Sequence, residues 1–471
     1  MGRDADFDTA LATVLAKAIN DFESLISYKP LTAGASQETY RITAQTEAGE
    51  RQLAMRRSQT TLDGDSSVGF ISLETEARLF QVAKLAGVPG PSILYVLQQG
   101  DGLGNGFLME WLEGETLGHR IVRSDELAAV RPTLAAQCGE ILARIHAIDW
   151  QANALDACLP TLSPGELVEE TFKAYCEFNV PVPMIDYSWR WLQDHLPQHS
   201  RTTLVHGDFR NGNLMITPQG INAVLDWELA QIGDPVRDLG WLCVNSWRFG
   251  CDELPVGGFG EMEDLLTAYS TASGVDVTAE ELRFWQVYGS FWWSMGTLRM
   301  ANAWRSGEVP SLERPVIGRR SSEAQMDCVN LLIPGPVDVP DSELPLTTGT
   351  VLPSQAELME GVARFLKDEV AGQLASHNGY LAKVAANSLR IAQREALIGP
   401  TLRAQELARL NDLLGTKATL DEQRWELVKQ LRNNLPLDTP GLTDHLRQTV
   451  AGQLAIDQPR YPALHTALKQ S

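Results

Sequence analysis

The stretch from residue 204 to 242 gathers side chains that could carry out chemistry. It reads LVHGDFRNGNLMITPQGINAVLDWELAQIGDPVRDLGWL, and Asn213 follows Asp208 by five residues. Next come two short apolar runs, LMIT and INAVL, joined by Pro-Gln-Gly, which predicts a β-hairpin. Because a hairpin of this length returns the chain, we expect Asp226 to lie beside Asn213.

Two carboxylates and an amide oxygen in one place suit phosphoryl transfer. The attacking hydroxyl needs a carboxylate that orients it and accepts its proton, and Mg²⁺ prefers oxygen ligands. We therefore predict that Asp208 is the catalytic base and that Asn213 and Asp226 are the magnesium ligands. The protein-kinase catalytic loop, H-R-D-L-x-x-x-N followed by D-F-G, has the same spacing. Glu228 is open to two interpretations, a ligand of a second metal or a charge with a solvated or structural role.

Three other interpretations of this stretch compete with phosphoryl transfer. A lone H-G-D occurs by chance, and isolated Asp and Asn residues after strands often form turns, but the spacing and the hairpin favour catalysis. A metal-dependent hydrolase built on His206, Asp208 and Asp226 lacks a second histidine. A catalytically silent nucleotide-binding scaffold is the main alternative, and the intact base and both ligands argue against it.

Residues 28–111 are predicted to form the elements that bind the nucleotide, in the order strand, strand, strand, helix, strand, strand. This is the order of a kinase N-terminal lobe. Kinases carry a lysine on the third strand, paired with a helix glutamate. Here LAMR puts Arg56 at that position, and the predicted helix partner is Glu76, with Glu74 as a competitor.

Two further segments are predicted to contact the nucleotide. The turn LTAGASQETY contains Gly34, Ala35 and Ser36, whose backbone N–H groups could lie over phosphates. The segment FLMEWLEG is similar to the kinase hinge that pairs with adenine, so Glu110 and Leu112 are the expected contacts.

These motifs together resemble one family. H-G-D-F-R-N-G-N, L-D-W-E and GDPVRDLGWL are similar to the aminoglycoside phosphotransferase and choline kinase family, over roughly residues 25–330. Within it, the chain resembles kinase-like domains that accompany acyl-CoA dehydrogenases. The resemblance implies an α+β, bilobal, protein-kinase-like fold with a small β-rich N-lobe and a large helical C-lobe. It also implies an ATP-dependent transferase with Mg²⁺ as cofactor, in which His206 supports the catalytic loop.

The chain is predicted to have more than one folding unit. Five prolines fall within 333–353, and nearly all of the net charge of -21 lies before residue 341, since later residues carry 15 acidic and 14 basic side chains. We therefore predict an N-lobe at 1–112, a C-lobe at 113–332, a linker at 333–353 and an all-α domain at 354–471. Dimerisation, partner docking and completion of the acceptor pocket are the roles considered for that domain.

The composition indicates which kinds of partner and which cellular compartment to expect. A net charge of -21 argues against binding to nucleic acid or to an anionic membrane. The six cysteines form no C-x-x-C pair, and the N-terminal run mixes charges into its apolar residues, unlike a signal peptide. These features predict a cytoplasmic enzyme, whose partners are ATP and a small molecule with a hydroxyl group.

A hydroxyacyl-CoA or hydroxy acid is the expected acceptor, from the resemblance and from a local excess of arginine. CoA is polyanionic, and arginine matches phosphate groups. A basic face that offsets neighbouring acid is the alternative explanation. The only acidic residues in this segment, 299–320, are Glu308 and Glu313. Its arginines are Arg299, Arg305, Arg314, Arg319 and Arg320.

Overall fold

A computed structural model describes residues 5–33, 37–58, 71–340 and 352–470. Gly34, Ala35 and Ser36 of the predicted phosphate turn lie outside the described residues. The chain divides into two compact units. The first comprises Met1–Pro164 and Gln198–Trp285, and the second comprises Gly165–Pro197 and Gln286–Ser471.

The first unit contains a five-stranded antiparallel sheet. Its strands lie side by side in the order Phe22–Ala33 (β1), Glu38–Thr46 (β2), Gly49–Ser58 (β3), Asn105–Glu110 (β5) and Ile93–Val96 (β4). The predicted succession of strands and one helix is confirmed, and an additional helix, α1, precedes it. In chain order the elements are α1 (Ala5–Ala18), β1 (Phe22–Ala33), β2 (Glu38–Thr46), β3 (Gly49–Ser58), α2 (Leu73–Leu85), β4 (Ile93–Val96) and β5 (Asn105–Glu110).

After the sheet, the chain continues mainly as helices, with a few short strands among them. The remaining elements are α3 (Gly118–Ile121), α4 (Leu134–His146), α5 (Pro164–Glu177), α6 (Pro183–Asp194), β6 (Thr203–Val205), β7 (Leu214–Thr217), β8 (Gly220–Val224), β9 (Gln231–Gly233), α7 (Val236–Leu242), α8 (Met262–Ser273), α9 (Ala279–Arg305), α10 (Glu313–Arg319), α11 (Ser321–Leu332), α12 (Gln355–Arg364), α13 (Ser376–Leu414), α14 (Leu420–Arg432), α15 (Leu442–Asp457) and α16 (Pro462–Leu468).

Side-chain alternation explains how the sheet is covered. Leu53 and Met55 of β3 point into a core that includes Leu11 and Leu15 of α1, so α1 covers that face. Arg56 follows Met55 by one residue, so its side chain points to the other face. There α2 packs its Phe80 against β5. Ser72 caps α2 by accepting a hydrogen bond from the backbone N–H of Thr75.

The second unit is helical, and partly buried ion pairs join its elements. Asp186 of α6 is fully buried and accepts a hydrogen bond at 2.6 Å from Arg432 of α14. Arg319 of α10 donates to Asp457 of α15 at 2.6 Å. The C-terminal helices thus share one compact unit with 165–197 and 286–332, segments that the sequence analysis assigned to the C-lobe. The predicted boundary at 333–353 stays a prediction.

The tryptophan-rich run at 284–300 forms part of α9, and Trp285 and Phe291 in it are buried, as expected of a core helix. Within the described ranges, we find no helix whose length and apolar character would allow it to span a membrane.

Candidate active site

The loop that follows β6 presents Asp208 and requires glycine beside it. Gly207 adopts φ +81°, and a Cβ atom there would come within 2.1 Å of the Leu229 carbonyl oxygen. Any other residue here would be strained by the left-handed conformation and would collide with that carbonyl oxygen, so the His-Gly-Asp turn requires glycine. Asp208 emerges from the turn as a buried residue, with 7% of its surface exposed.

The Asp208 carboxylate is fixed by three donors. Trp241 Nε1 and Arg210 Nε donate to Oδ1 at 2.7 and 2.9 Å, and Asn213 Nδ2 donates to Oδ2 at 2.5 Å. Burial raises the pKa of Asp208, while the Arg210 charge and the Trp241 hydrogen bond act in the opposite direction. Because a carboxylate offers about four acceptor positions, Oδ2 keeps one for a further partner.

Asp238 of α7 anchors the backbone of the same loop. Its two oxygens accept hydrogen bonds from the N–H groups of His206 and Gly207, at 2.8 and 2.9 Å. His146 Nε2 lies 3.2 Å from Asp238 Oδ2, and its Nδ1 lies 3.0 Å from the Tyr269 hydroxyl. Burial alone would raise the pKa of Asp238, but these hydrogen bonds hold it below its ordinary value.

The predicted hairpin is present and brings Asn213 and Asp226 to the same end. Leu214 of β7 pairs with Val224 of β8, and Leu225 N–H donates to the Asn213 carbonyl at 2.8 Å. Asp226 follows with φ 66°, a left-handed conformation that costs an L-residue about 1–2 kcal/mol. Strain of this kind tends to be retained at functional sites.

Arg56 connects the sheet to this segment. Its Nη1 donates to Glu76 at 2.9 Å, and its Nη2 donates to Asp226 and Glu228 at 2.9 and 3.0 Å. Glu76 is therefore the helix partner, and Glu74 is exposed. This corner of the molecule, which we call the Arg56 corner, sets three carboxylates (Glu76, Asp226 and Glu228) around one guanidinium.

The Arg56 corner carries more negative than positive charge. Burial raises the pKa of Glu76 to about 8 and that of Glu228 to about 7, although Arg56 lowers both. Coulomb repulsion from Asp226 contributes to each increase. A divalent cation would relieve this repulsion.

The predicted hinge residues lie at the end of β5 and just beyond it. The Glu110 side chain accepts hydrogen bonds from the backbone and hydroxyl groups of Ser92, at 3.2 and 3.0 Å, so it is held against β4. Leu112 is half-buried in the irregular segment that follows. The N–H and carbonyl of Glu115 pair with Ile216 of β7, so the segment after the hinge is tied to the hairpin.

The structure thus brings together Asp208 with Asn213, and Arg56 with Glu76 and Asp226. Sequence reasoning did not assign roles to four residues that hold the loop: His146, Arg210, Asp238 and Trp241. Arg210, Asp238 and Trp241 stand within the motifs quoted above, so their positions were available as a signal. His146 had none, because α4 lies far away in sequence.

Comparison with known proteins agrees with this geometry. The model of the phosphotransferase enzyme family matches residues 27–274, which is more than half of the chain. The chain belongs to this family. A second model, that of a domain of unknown function (DUF6285), matches residues 372–461 of this phosphotransferase.

Curated relatives of the phosphotransferase are larger proteins. Acyl-CoA dehydrogenase family member 10 of Mus musculus is 32% identical over 220 residues, which are 45% of this chain and 20% of the mouse protein. Acyl-CoA dehydrogenase family member 11 of Rattus norvegicus is 28% identical over 237 residues, 45% of this chain and 30% of the rat protein. The chain therefore spans less than a third of the length of these relatives.

The fold of the phosphotransferase is also seen in a solved structure. A protein from Ralstonia eutropha, crystallised as a candidate aminoglycoside phosphotransferase, superposes with a TM-score of 0.54 at 23% identity. The match covers 68% of this chain and 96% of that one. The expected kinase-like α+β fold is confirmed, and membership of the phosphotransferase family agrees with the expected class of enzyme.

Proposed function

We propose that the phosphotransferase transfers the terminal phosphoryl group of ATP to a hydroxyl group of a small molecule, with Asp208 as the catalytic base. The observation that carries the proposal is the buried Asp208 carboxylate held by Trp241, Arg210 and Asn213. A carboxylate fixed in this way can orient the acceptor hydroxyl and take its proton through the remaining position on Oδ2.

The residues present fit a magnesium ion. The Asn213 amide nitrogen is committed to Asp208, which leaves its oxygen as a ligand, and Asp226 is a partly exposed carboxylate at the negatively charged Arg56 corner. In the described parts of the chain, no three His, Cys, Asp or Glu side chains are grouped as a metal site. Mg²⁺ does not require such a group, because it commonly uses one or two carboxylates with substrate phosphates and water.

Bound Mg²⁺ would neutralise charge on the nucleotide phosphates. Asn213 and Asp226 would hold it, and Arg56, aligned by Glu76, would contact phosphate oxygens. The planar guanidinium offers a fork of donors for this purpose, where protein kinases use a point charge. Gly34, Ala35 and Ser36 over the phosphates, and Glu110 and Leu112 at the adenine, complete the proposed nucleotide site.

The acceptor that we propose is a hydroxyacyl-CoA or a hydroxy acid. The support comes from the curated relatives, whose names associate them with acyl-CoA dehydrogenases. The arginine-rich segment supports it less than the sequence suggested. Arg319 is paired with Asp457 and Glu395, and Arg320 is paired with Glu323, so neither is a free phosphate ligand.

A coupled ADP-release assay with and without Mg²⁺ tests the proposal. Hydroxyacyl-CoAs, free hydroxy acids, choline and an aminoglycoside should be compared side by side, with the Asp208→Asn variant as the blank for each. Acceptor-dependent, Mg²⁺-dependent ADP release with the acyl compounds is the expected result. Phosphorylation of the aminoglycoside alone would overturn the acceptor class, and ATP binding with no turnover on any hydroxyl compound would favour the silent scaffold.

A further inference from the structure

Three arginines line a small cleft in the second unit. It lies among α13, α14 and α15, and its volume of about 30 Å³ exceeds the ~15 Å³ that one water needs. This space suits one small oxyanion group. The charged residues that line it are Asp338, Arg403, Glu406, Arg409 and Arg424.

Most of the charge in this cleft, which we call the Arg409 cleft, is already balanced. Both oxygens of Glu406 accept hydrogen bonds from Arg424, at 2.7 and 2.6 Å, so this pair is neutral. Asp338 is exposed at the rim. Arg403 lies 3.6 Å from Glu395, and both side chains are more than 40% exposed, so that contact is weak.

Arg409 is the cation in this cleft that has no carboxylate partner. Its Nη2 donates to the Thr449 hydroxyl at 3.2 Å, while its buried Nε meets no acceptor among the described residues. Glu406 and Asp444 influence it through charge alone, without ion-pair contact. His445, buried beside Arg409, has no hydrogen-bond partner at either ring nitrogen within the described ranges and offers no negative charge.

Other partly buried arginines of the same unit are matched by acceptors. Arg394 donates to the backbone carbonyl groups of Ile456 and Asp457. Three more have carboxylate partners: Arg319 with Asp457, Arg424 with Glu406 and Arg432 with Asp186. A half-buried guanidinium without such a partner costs free energy, so a purely structural role does not explain Arg409.

We propose that the Arg409 cleft binds an anionic oxygen group, a carboxylate or a phosphate, with Arg409 as the ion-pairing residue and Arg403 as the second cation. Guanidinium forks bind both kinds of oxyanion in a bidentate manner. The three helices that form the cleft lie within the segment matched by the model of the domain of unknown function. Among the charged lining residues, Asp338 lies outside that segment. The inference is independent of the phosphotransfer reaction.

Thermal unfolding in a buffer without oxyanions separates binding from structure. Arg409→Gln should melt at or above the wild-type temperature, because it removes an unmatched cation. Arg424→Gln, the matched variant, should melt at a clearly lower temperature, because it leaves Glu406 buried without its partner. If Arg409→Gln destabilised the protein as much as Arg424→Gln, Arg409 would be structural and the proposal would be wrong.

Calorimetric titration of the full chain with inorganic phosphate and, separately, with acetate identifies the anion. Arg409→Gln should weaken binding about tenfold or more, while Lys383→Gln, an exposed site on α13, should leave it unchanged. Arg409→Lys should lie between them, because it keeps the charge but loses the fork. Phosphate could also bind near Arg56, so Arg56→Ala is measured in parallel. Loss of binding in Arg56→Ala alone, or no binding of either anion, would overturn the proposal.

Discussion

The Arg56 corner in the first unit and the Arg409 cleft in the second are opposite in their charge balance. At the corner, three carboxylates surround one guanidinium. In the cleft, Arg424 already occupies both oxygens of Glu406, and Arg409 has no carboxylate of its own. The chain thus leaves one site with uncompensated negative charge and the other with uncompensated positive charge.

This difference indicates what each site lacks. Buried or half-buried charge is costly unless it is paired, so an imbalance that persists in a folded protein points to a partner from solution. The partner expected at the corner is a divalent cation with its nucleotide, and at the cleft it is an oxyanion. The predictions below test each side of this comparison, beginning with the largest effect.

The largest expected effect is on turnover, from Asp208→Asn. Asparagine keeps the shape of the side chain but cannot accept the proton of the acceptor, so kcat should fall by about 10²–10⁴-fold while ATP still binds. Single-turnover assays with the true acceptor and nucleotide titrations measure the two effects. Asp156→Asn, an exposed change in the same unit, is the control. Near-normal turnover in Asp208→Asn would show that another group is the base.

Asp226→Ala should remove the dependence of nucleotide affinity on magnesium. The substitution takes away a proposed ligand and part of the negative charge at the Arg56 corner, so MgATP affinity should fall by about 100-fold. Calorimetry with MgATP, and with ATP in EDTA, provides the comparison. Affinity in EDTA should change little. Unchanged MgATP binding in the variant would place the metal elsewhere.

Arg56→Ala and Arg57→Ala form a matched pair on one strand. Arg57 points to the other face of the sheet, where it donates to Glu38 at 2.8 Å and lies over the ring of Phe7. We expect Arg56→Ala to weaken nucleotide binding about tenfold or more. Arg57→Ala should lower the melting temperature and leave nucleotide affinity near normal. Equal effects on affinity would contradict the proposed role of Arg56.

Trp241→Phe should impair the base without removing it. The substitution keeps an aromatic ring but loses the hydrogen bond to Asp208 Oδ1, so kcat/KM should fall about tenfold. Because that hydrogen bond lowers the pKa of Asp208, its loss raises this pKa. The acid limb of the pH–rate profile should then move to higher pH. Trp304→Phe, at an exposed tryptophan in the second unit, should leave both the rate and the profile unchanged.

The sequence was sufficient for local features and insufficient for distant contacts. The hairpin, the succession of strands and helix along the chain, and the pairing of Arg56 with a helix glutamate follow from short-range patterns such as alternation, turn residues and helical spacing. The contact of His146 with Asp238 joins helices 92 residues apart, and no short-range pattern encodes it. The charge balance at the Arg409 cleft could not be predicted either. Helical periodicity shows which face of a helix is buried, but it does not show which charged side chains come into contact.

Composition could not show which side chains hold the second unit together. The prolines and the charge step near 333–353 favoured a separate C-terminal domain. The ion pair of Asp186 with Arg432, and that of Arg319 with Asp457, are contacts inside one compact unit that includes earlier segments. A change in composition along the chain carries no information about which buried side chains are paired.

The effect expected at His445, beside the Arg409 cleft, is on the pH dependence of stability and not on turnover or nucleotide affinity. Burial lowers the pKa of His445 to about 3, and the charges of Arg409 and Arg424 contribute. In the unfolded chain the pKa is about 6.5. Between these values the unfolded chain binds a proton that the folded chain does not, so stability is lost as the pH falls.

From pH 7 to pH 5, this histidine should account for a loss of about 2 kcal/mol in the free energy of unfolding. His445→Gln cannot be protonated, so its stability should fall less steeply over the same interval. His377→Gln, at an exposed histidine of α13, should behave like the wild type. Urea denaturation at the two pH values measures the difference. If His445→Gln and the wild type lost equal stability, the side chain would be protonated in the folded protein, and a group near it would have to balance that charge. Since the Arg409 cleft would then contain a counter-anion of its own, this result would also weaken the contrast with the Arg56 corner.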